Sequence, residues 1–205
     1  MLGKSLLIGF SEPIDRATAL SASSPLPRSP GVYAFFFKEV PPGVPVRDCF
    51  QDKKGSMLYV GIAPDKPGKR ISRQTVRSRV RYHLQGNAEG STLRRTLGIL
   101  LAEKSGFPLR RVGSGHRMTL THLGEQWLDD WLERNSLVCW RVHDQPWELE
   151  KEVIRVASCP LNIRGNDHHA FCAPLRKIRS DAISNARLMP VAHEGNQARR
   201  PVKAD

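Results

Sequence analysis

Gly31-Val32-Tyr33-Ala34-Phe35-Phe36-Phe37 and Met57-Leu58-Tyr59-Val60-Gly61-Ile62 decide how this chain folds. Each is a short apolar run, rich in β-branched and aromatic residues and bordered by turn formers, which reads as a buried strand. Each also sets one tyrosine close to one glycine: Gly-Val-Tyr in the first, Tyr-Val-Gly in the second. Pro25, Pro27 and Pro30 stiffen the entry to the first strand. Between the two, residues 38–56 pass through Val40-Pro41-Pro42-Gly43-Val44-Pro45 and read as a long hairpin connection. Upstream, the run Leu6–Phe10 reads as an extra edge strand, followed by a Ser/Pro-rich connector.

Downstream of the second strand comes a basic loop, then a helix expected over Ser72–Gln85. Val76, Val80 and Leu84 form its apolar stripe, Arg79 and His83 flank one edge of it, and Arg77 and Arg81 fall on the outer side. Gly86 and Asn87 end the helix. Ser91 is the expected N-cap of a second helix, whose buried face is Leu93, Leu97, Leu100 and Leu101, with Arg94 and Arg95 adding to the basic surface. Residues 104–120 read as an irregular basic insertion. A third helix near Leu123–Arg134 precedes a third strand over Leu137–Val142.

In the next helix Asp144 is the expected N-cap and Pro146 suits the first turn. Trp147, Leu149, Val153, Ile154 and Ala157 share its apolar face, and Glu150 is the one charge aimed with them. A carboxylate taken out of water needs a compensating charge, either a metal ion or a cationic side chain. Pro160 closes the helix and Asn162 follows at once. A further helix from Pro174 carries Leu175, Ile178 and Ile183 beside the basic Arg176, Lys177 and Arg179.

The chain has 205 residues and a formal net charge of +12. With a pI of about 10.1, it favours a polyanionic partner, most simply nucleic acid. Lys66, Lys69, Arg70, Arg73, Arg77 and Arg81 cluster around the helix that carries Arg79 and read as a phosphate-binding surface. A solvated face is the bland alternative. The four cysteines form no CxxC pair, and they read as reduced thiols of a cytoplasmic protein. Cys159, Cys172, His168 and His169 match no common zinc spacing. No stretch is long and apolar enough to span a membrane, and no signal-peptide core is evident.

Gly31-Val32-Tyr33 and Tyr59-Val60-Gly61 resemble the two signatures of the GIY-YIG nuclease superfamily, with valine for isoleucine in both. Arg79 on the helix after the second strand, Glu150 on a later helix and Asn162 just beyond it continue the family's order of elements. The resemblance covers roughly Pro30 to Asn162; the connection over 38–56 is longer than the family's usual one. The superfamily includes homing endonucleases, restriction enzymes and a nucleotide-excision-repair nuclease.

The resemblance implies an α+β domain: a small, mainly antiparallel three-stranded sheet flanked by helices, with a basic C-terminal helical extension. The expected division is an N-terminal extension over 1–29, a catalytic domain over 30–163, the helical extension over 164–188 and disorder over 189–205. The implied activity is metal-dependent endonucleolytic hydrolysis of phosphodiester bonds in DNA. Glu150 would hold a single Mg²⁺ or Mn²⁺, Arg79 would clamp the scissile phosphate, and Tyr33 would orient or deprotonate the attacking water. Tyr59 would position phosphate or water, and Asn162 would orient the site. His83 is the alternative proton acceptor, with an unperturbed pKa near ~6.5 against ~10 for tyrosine. Two other readings stand beside it: a nucleic-acid-binding module that no longer cuts, and a nuclease directed at RNA.

Overall fold

A computed structural model describes residues 9–65 and 74–192. The elements in order are β1 (Ile14–Asp15), α1 (Arg16–Leu20), β2 (Gly31–Phe37), β3 (Gln51–Asp52), β4 (Gly55–Ala63) and α2 (Val76–Gln85). They continue with α3 (Thr92–Leu100), α4 (Ala102–Ser105), β5 (Arg110–Val112), β6 (Arg117–Thr119), α5 (His122–Asn135), β7 (Ser136–Val142), α6 (Pro146–Ala157) and α7 (Cys172–Leu188).

The fold is α+β with a mainly antiparallel sheet. That sheet has five strands in the order β1-β7-β2-β4-β3, rather than the three expected. The two additions, β1 and β3, are two residues each, too short to leave a periodic pattern. The expected edge strand at Leu6–Phe10 lies partly outside the described residues; the edge of β7 is taken by β1 instead, at Ile14↔Val138 and Asp15↔Leu137.

Strand β2 is the centre, and every one of its seven residues is buried. Covering both faces explains why it reads as a continuous apolar run instead of an alternating one. Tyr33, Phe35 and Phe37 point into one core, shared with Val76, Val80, Leu84, Leu97, Leu128 and Trp131. Val32, Ala34 and Phe36 point into a second core, against Leu149, Val153, Ile154 and Ala157 of α6. Burying each phenylalanine contributes roughly 1.5–3 kcal/mol. Opposite the step from Phe35 to Phe36, β4 carries an extra residue: Phe35 pairs with Tyr59 and Phe36 with Met57. Tyr59, directly opposite Phe35, lies on the same core side as Tyr33, and the bulge adds Leu58 to that side.

Helix α2 begins at Val76, later than expected, because Thr75 and Ser78 form a reciprocal capping box there. The segment read as irregular, 104–120, contains the short hairpin β5–β6, whose pairing runs from Arg110↔Thr119 to Val112↔Arg117. Its strand Arg110–Val112 binds the chain after α7: Ala192 N–H donates to the Arg111 carbonyl at 2.8 Å. Arg110 and Arg111 donate to the carbonyls of Pro190 and Met189. Helix α7 packs Ile178, Ala182 and Ile183 against the first core and buries Leu175. Of the tail expected to be disordered, 189–205, the stretch 189–192 is bonded to β5, and 193–205 lie outside the described residues. No helix among the described residues is long and apolar enough to cross a membrane.

Arg94, expected on the basic surface, is fully buried. It donates to Glu125 Oε2 at 2.6 Å and Asp129 Oδ1 at 2.7 Å, and to the His83 and Leu84 carbonyls at the end of α2. Arg16 joins it, donating to Leu84 O and Glu133. The last carbonyls of a helix have no partner within it, and these two arginines supply one.

Candidate active site

The pairing register explains the glycines of both signatures. Tyr33 stands directly opposite Gly61, and a Cβ at position 61 would lie 2.5 Å from the Tyr33 hydroxyl oxygen and from Cζ. The glycine of Tyr-Val-Gly therefore makes room for the tyrosine of Gly-Val-Tyr. A Cβ on Gly31 would meet the Arg141 carbonyl at 2.4 Å and a Val76 methyl at 3.0 Å, so the other glycine lets β7 and α2 close on β2. Each signature is thus one strand's half of a steric fit.

His83 sits among three aromatic rings, with centroid distances of 5.5 Å to Tyr33, 5.7 Å to Tyr59 and 5.9 Å to Phe35. Its Nε2 is hydrogen-bonded to the Tyr33 hydroxyl at 2.8 Å, and its Nδ1 to Ser91 Oγ at 2.7 Å. Ser91 also caps α3, accepting from the Arg94 N–H at 3.1 Å. Both imidazole nitrogens are engaged by protein and the ring is fully buried. Burial, then the charges of Arg79 and Arg94, hold its pKa well below 6.5. The imidazole is neutral at physiological pH, and neither nitrogen is left to meet a solvent water.

Arg79 is half-buried and donates to the Gly90 carbonyl at 3.1 Å. Its charge also favours the ionised form of the Tyr33 phenol. Burial raises the Tyr33 phenol well above 10, Tyr59 adds to the rise, and Arg79 opposes it. Burial pushes Tyr59 up to about 12, with Arg79 and Arg179 opposing and Glu150 reinforcing. Both phenols are therefore protonated at rest. Glu150 acts on both tyrosines from α6, the helix that covers the other face of the sheet. Arg79 and Glu150, far apart in sequence, thus both act on the Tyr33 and Tyr59 phenols, and Arg79 acts on His83 as well.

Glu150 forms no hydrogen bond or ion pair among the described residues, with Arg79 or any other. Burial raises its carboxyl to about 7, against a partial offset from Arg164 and a further push from Asp65. A half-buried carboxylate with no bonded partner fits a divalent cation, which would supply the missing charge. Among the described residues no three His, Cys, Asp or Glu side chains gather as a ligand set. Glu150 would then be the one protein ligand. That donor set suits Mg²⁺, which keeps waters and substrate oxygens around it and needs few carboxylates.

Asn162 does not reach the phenols as a bonded group. It closes a two-way bond with β4: its Oδ1 accepts from Val60 N–H at 2.9 Å and its Nδ2 donates to Val60 O at 2.8 Å. Leu161 N–H adds a bond to Leu58 O. Together they occupy the edge of β4 that β2 leaves open and hold the backbone between Tyr59 and Gly61.

The expected phosphate-binding set divides. Lys66, Lys69, Arg70 and Arg73 lie outside the described residues. Arg81 donates to the Leu20 carbonyl at 2.8 Å, and Arg77 to the carbonyls of Ala22 and Ser24. These two guanidiniums serve as partners for the end of α1, with their remaining donors facing a groove they share with Arg28, Tyr82 and Gln85. The reading from sequence also treated Arg179 as one basic residue among several on α7. In the structure it is half-buried, donates to Thr96 Oγ1 at 3.3 Å, and acts by its charge on the Tyr59 phenol. Its place at the edge of the stripe Leu175, Ile178, Ala182 is the same signal that singled out Arg79.

Comparison with curated proteins and with solved structures gave no match. The family model for the GIY-YIG catalytic domain matches residues 31–181, from the first residue of β2 into the second half of α7. The match contains both signature strands, Arg79, Glu150 and Asn162, and extends past Arg179. The chain belongs to the GIY-YIG family of nucleases.

Proposed function

We propose that this protein is a metal-dependent endonuclease that hydrolyses phosphodiester bonds in DNA. The observation that carries the reading is that Arg79 and Glu150 both act on the buried phenols of Tyr33 and Tyr59, while Glu150 has no bonded partner among the described residues. Structural ion pairs elsewhere in this protein are neutralised by their own partners, as Arg94 is by Glu125 and Asp129.

Arg79 binds the scissile phosphate with the guanidinium donors that Gly90 leaves free. Tyr33 holds the attacking water. Its phenol accepts the water's proton while passing its own to His83 Nε2 along their 2.8 Å hydrogen bond. His83 never touches the water; it acts through Tyr33. At rest Arg79 disfavours a charged His83. The negative charge of a bound phosphate offsets Arg79 and makes the imidazole a better proton acceptor. Tyr59 positions a phosphoryl oxygen, and Asn162 fixes the strand segment that carries Tyr59. Glu150 would hold a divalent ion, Mg²⁺ or Mn²⁺, which would supply charge neutralisation to the reacting phosphate.

The test is cleavage of matched plasmid DNA and RNA with Mg²⁺, with Mn²⁺ and with EDTA. DNA cleavage that needs the metal is the expected result. Cleavage confined to RNA would replace the substrate. Salt-sensitive binding with no cleavage of either would make the protein a binding module.

A further inference from the structure

The family match ends inside helix α7, at residue 181, and the helix carries charges that the reaction above does not use. Arg176, Arg179, Ser180, Ser184 and Arg187 line one groove of about 440 Å³ together with Ile163. Their spacing of three and four residues sets them along one stripe of the helix. At one end is Arg179, on the helix whose Ile178 and Ala182 pack against the core that holds Tyr33 and Tyr59, and its charge acts on the Tyr59 phenol. No carboxylate among the described residues pairs with it; its one hydrogen bond is to Thr96. Burial, then the neighbouring cation Arg95, disfavours its charge. At the other end, Arg187 is exposed and has no bonded partner among the described residues. Arg176 is tied to Asp167 and the Ile163 carbonyl at the flank of the groove. Lys177 pairs with Asp181 away from it. The groove thus holds two cations, Arg179 and Arg187, that no carboxylate among the described residues pairs with. Hydroxyl donors from Ser180 and Ser184 lie between them.

Arg179 and Arg187 are separated by two turns of helix, about 12 Å along the axis. That separation sets the two guanidiniums against different phosphates of a strand. We propose that the α7 groove binds the nucleic-acid backbone on one side of the cleavage point, Arg179 taking a phosphate next to the scissile one and Arg187 a phosphate further along the same strand. This rests on the nuclease reading and adds a second phosphate site to it.

The test is binding of a fluorescein-labelled DNA duplex in EDTA, read by anisotropy over roughly 50–200 mM salt. Wild type, Arg187→Ala, Arg179→Gln and Lys177→Ala are compared. Arg187 is exposed, so its truncation leaves the core intact, and Lys177→Ala removes the same charge from outside the groove. Arg187→Ala and Arg179→Gln are each expected to lower the slope of log K against log salt by about 1, with a several-fold loss of affinity at low salt. Lys177→Ala is expected to leave the slope near that of wild type. Slopes for Arg187→Ala and Arg179→Gln equal to that of Lys177→Ala would overturn the groove, as would a wild type that does not bind. A wild type that binds with the expected slopes but never cleaves would keep the groove and remove the nuclease.

Discussion

Arg94 and Arg79 both enter buried polar surroundings next to α2, and they are matched differently. Arg94 meets two carboxylates and three carbonyls, at Glu125, Asp129, His83, Leu84 and Glu125 again. Arg79 meets one carbonyl and acts by its charge on a phenol, and the carboxylate that shares its site, Glu150, has no bonded partner among the described residues. The first cluster is electrically complete and joins α2 to α3, α5 and α1. The second holds cations on one side and a lone carboxylate on the other without joining them. A protein that stabilised its own fold would bring such charges together, because leaving them apart forfeits the interaction that offsets desolvation. The incomplete cluster is built for something that arrives: an anion at Arg79 and Arg179, a cation at Glu150.

The largest effect expected is on the complete cluster. Arg94→Ala removes the guanidinium that pairs with Glu125 at 2.6 Å and with Asp129 at 2.7 Å, and is expected to cost about 3–5 kcal/mol in urea unfolding. Arg79→Ala is expected to stay within about 1 kcal/mol of wild type. Equal losses for the two would erase the contrast. Next comes Glu150 itself. In the metal-free folded protein its carboxyl titrates near 7, against 4.5 without its surroundings. The protonated form is the one the fold favours, so that stability is complete below about 4.5 and lost as pH rises through 7. Glu150→Gln removes the titration. Melting in EDTA at pH 5 and pH 8 is expected to show the wild type losing on the order of 2–3 kcal/mol relative to Glu150→Gln as pH rises. Excess Mg²⁺ is expected to return part of it to the wild type at pH 8 and none to the variant. Parallel pH dependence in the two proteins would mean that Glu150 is not a desolvated, unpartnered group.

Gly61→Ala sharpens the comparison from the tyrosine side. Its new methyl must displace the Tyr33 ring, a loss of about 1–3 kcal/mol in stability. Cleavage is expected to fall further than that destabilisation explains, since Tyr33 is moved. Smallest is Ser91→Ala, which removes a helix cap and leaves His83 Nδ1 without its partner, for about 1–2 kcal/mol in thermal unfolding. A variant as stable as wild type would show that Ser91 does not hold His83.

The incomplete cluster was easier to find in the sequence than the complete one. Tyr33, Tyr59, Arg79 and Glu150 stand on local patterns: a glycine two residues away, or a charge beside or within an apolar stripe. Those patterns survive in one dimension because each is set by its own strand or helix. Arg94 gives no such sign. Its carboxylates come from α5, 31 and 35 positions away, and only the packing of α3 on α5 makes an arginine in the middle of a leucine-rich helix internal. The same holds for the glycines. Gly-Val-Tyr and Tyr-Val-Gly are visible as triplets, but that Gly61 exists to seat Tyr33 follows only from the register of β2 on β4. Strands β1 and β3 and the β5–β6 hairpin escaped because two or three residues are too few for a period. Asn162 was visible as a residue after a helix, while its clamp on Val60 depends on how the turn reaches β4.

The most direct measurement is the single-turnover rate of plasmid nicking in Mg²⁺ for wild type, Arg79→Ala and Glu150→Gln, with DNA binding and melting temperature recorded for each. Both variants are expected to remain folded and to nick at least about 10²-fold more slowly. Either variant nicking within ten-fold of wild type while folded would contradict the assignment of the incomplete cluster as the active site.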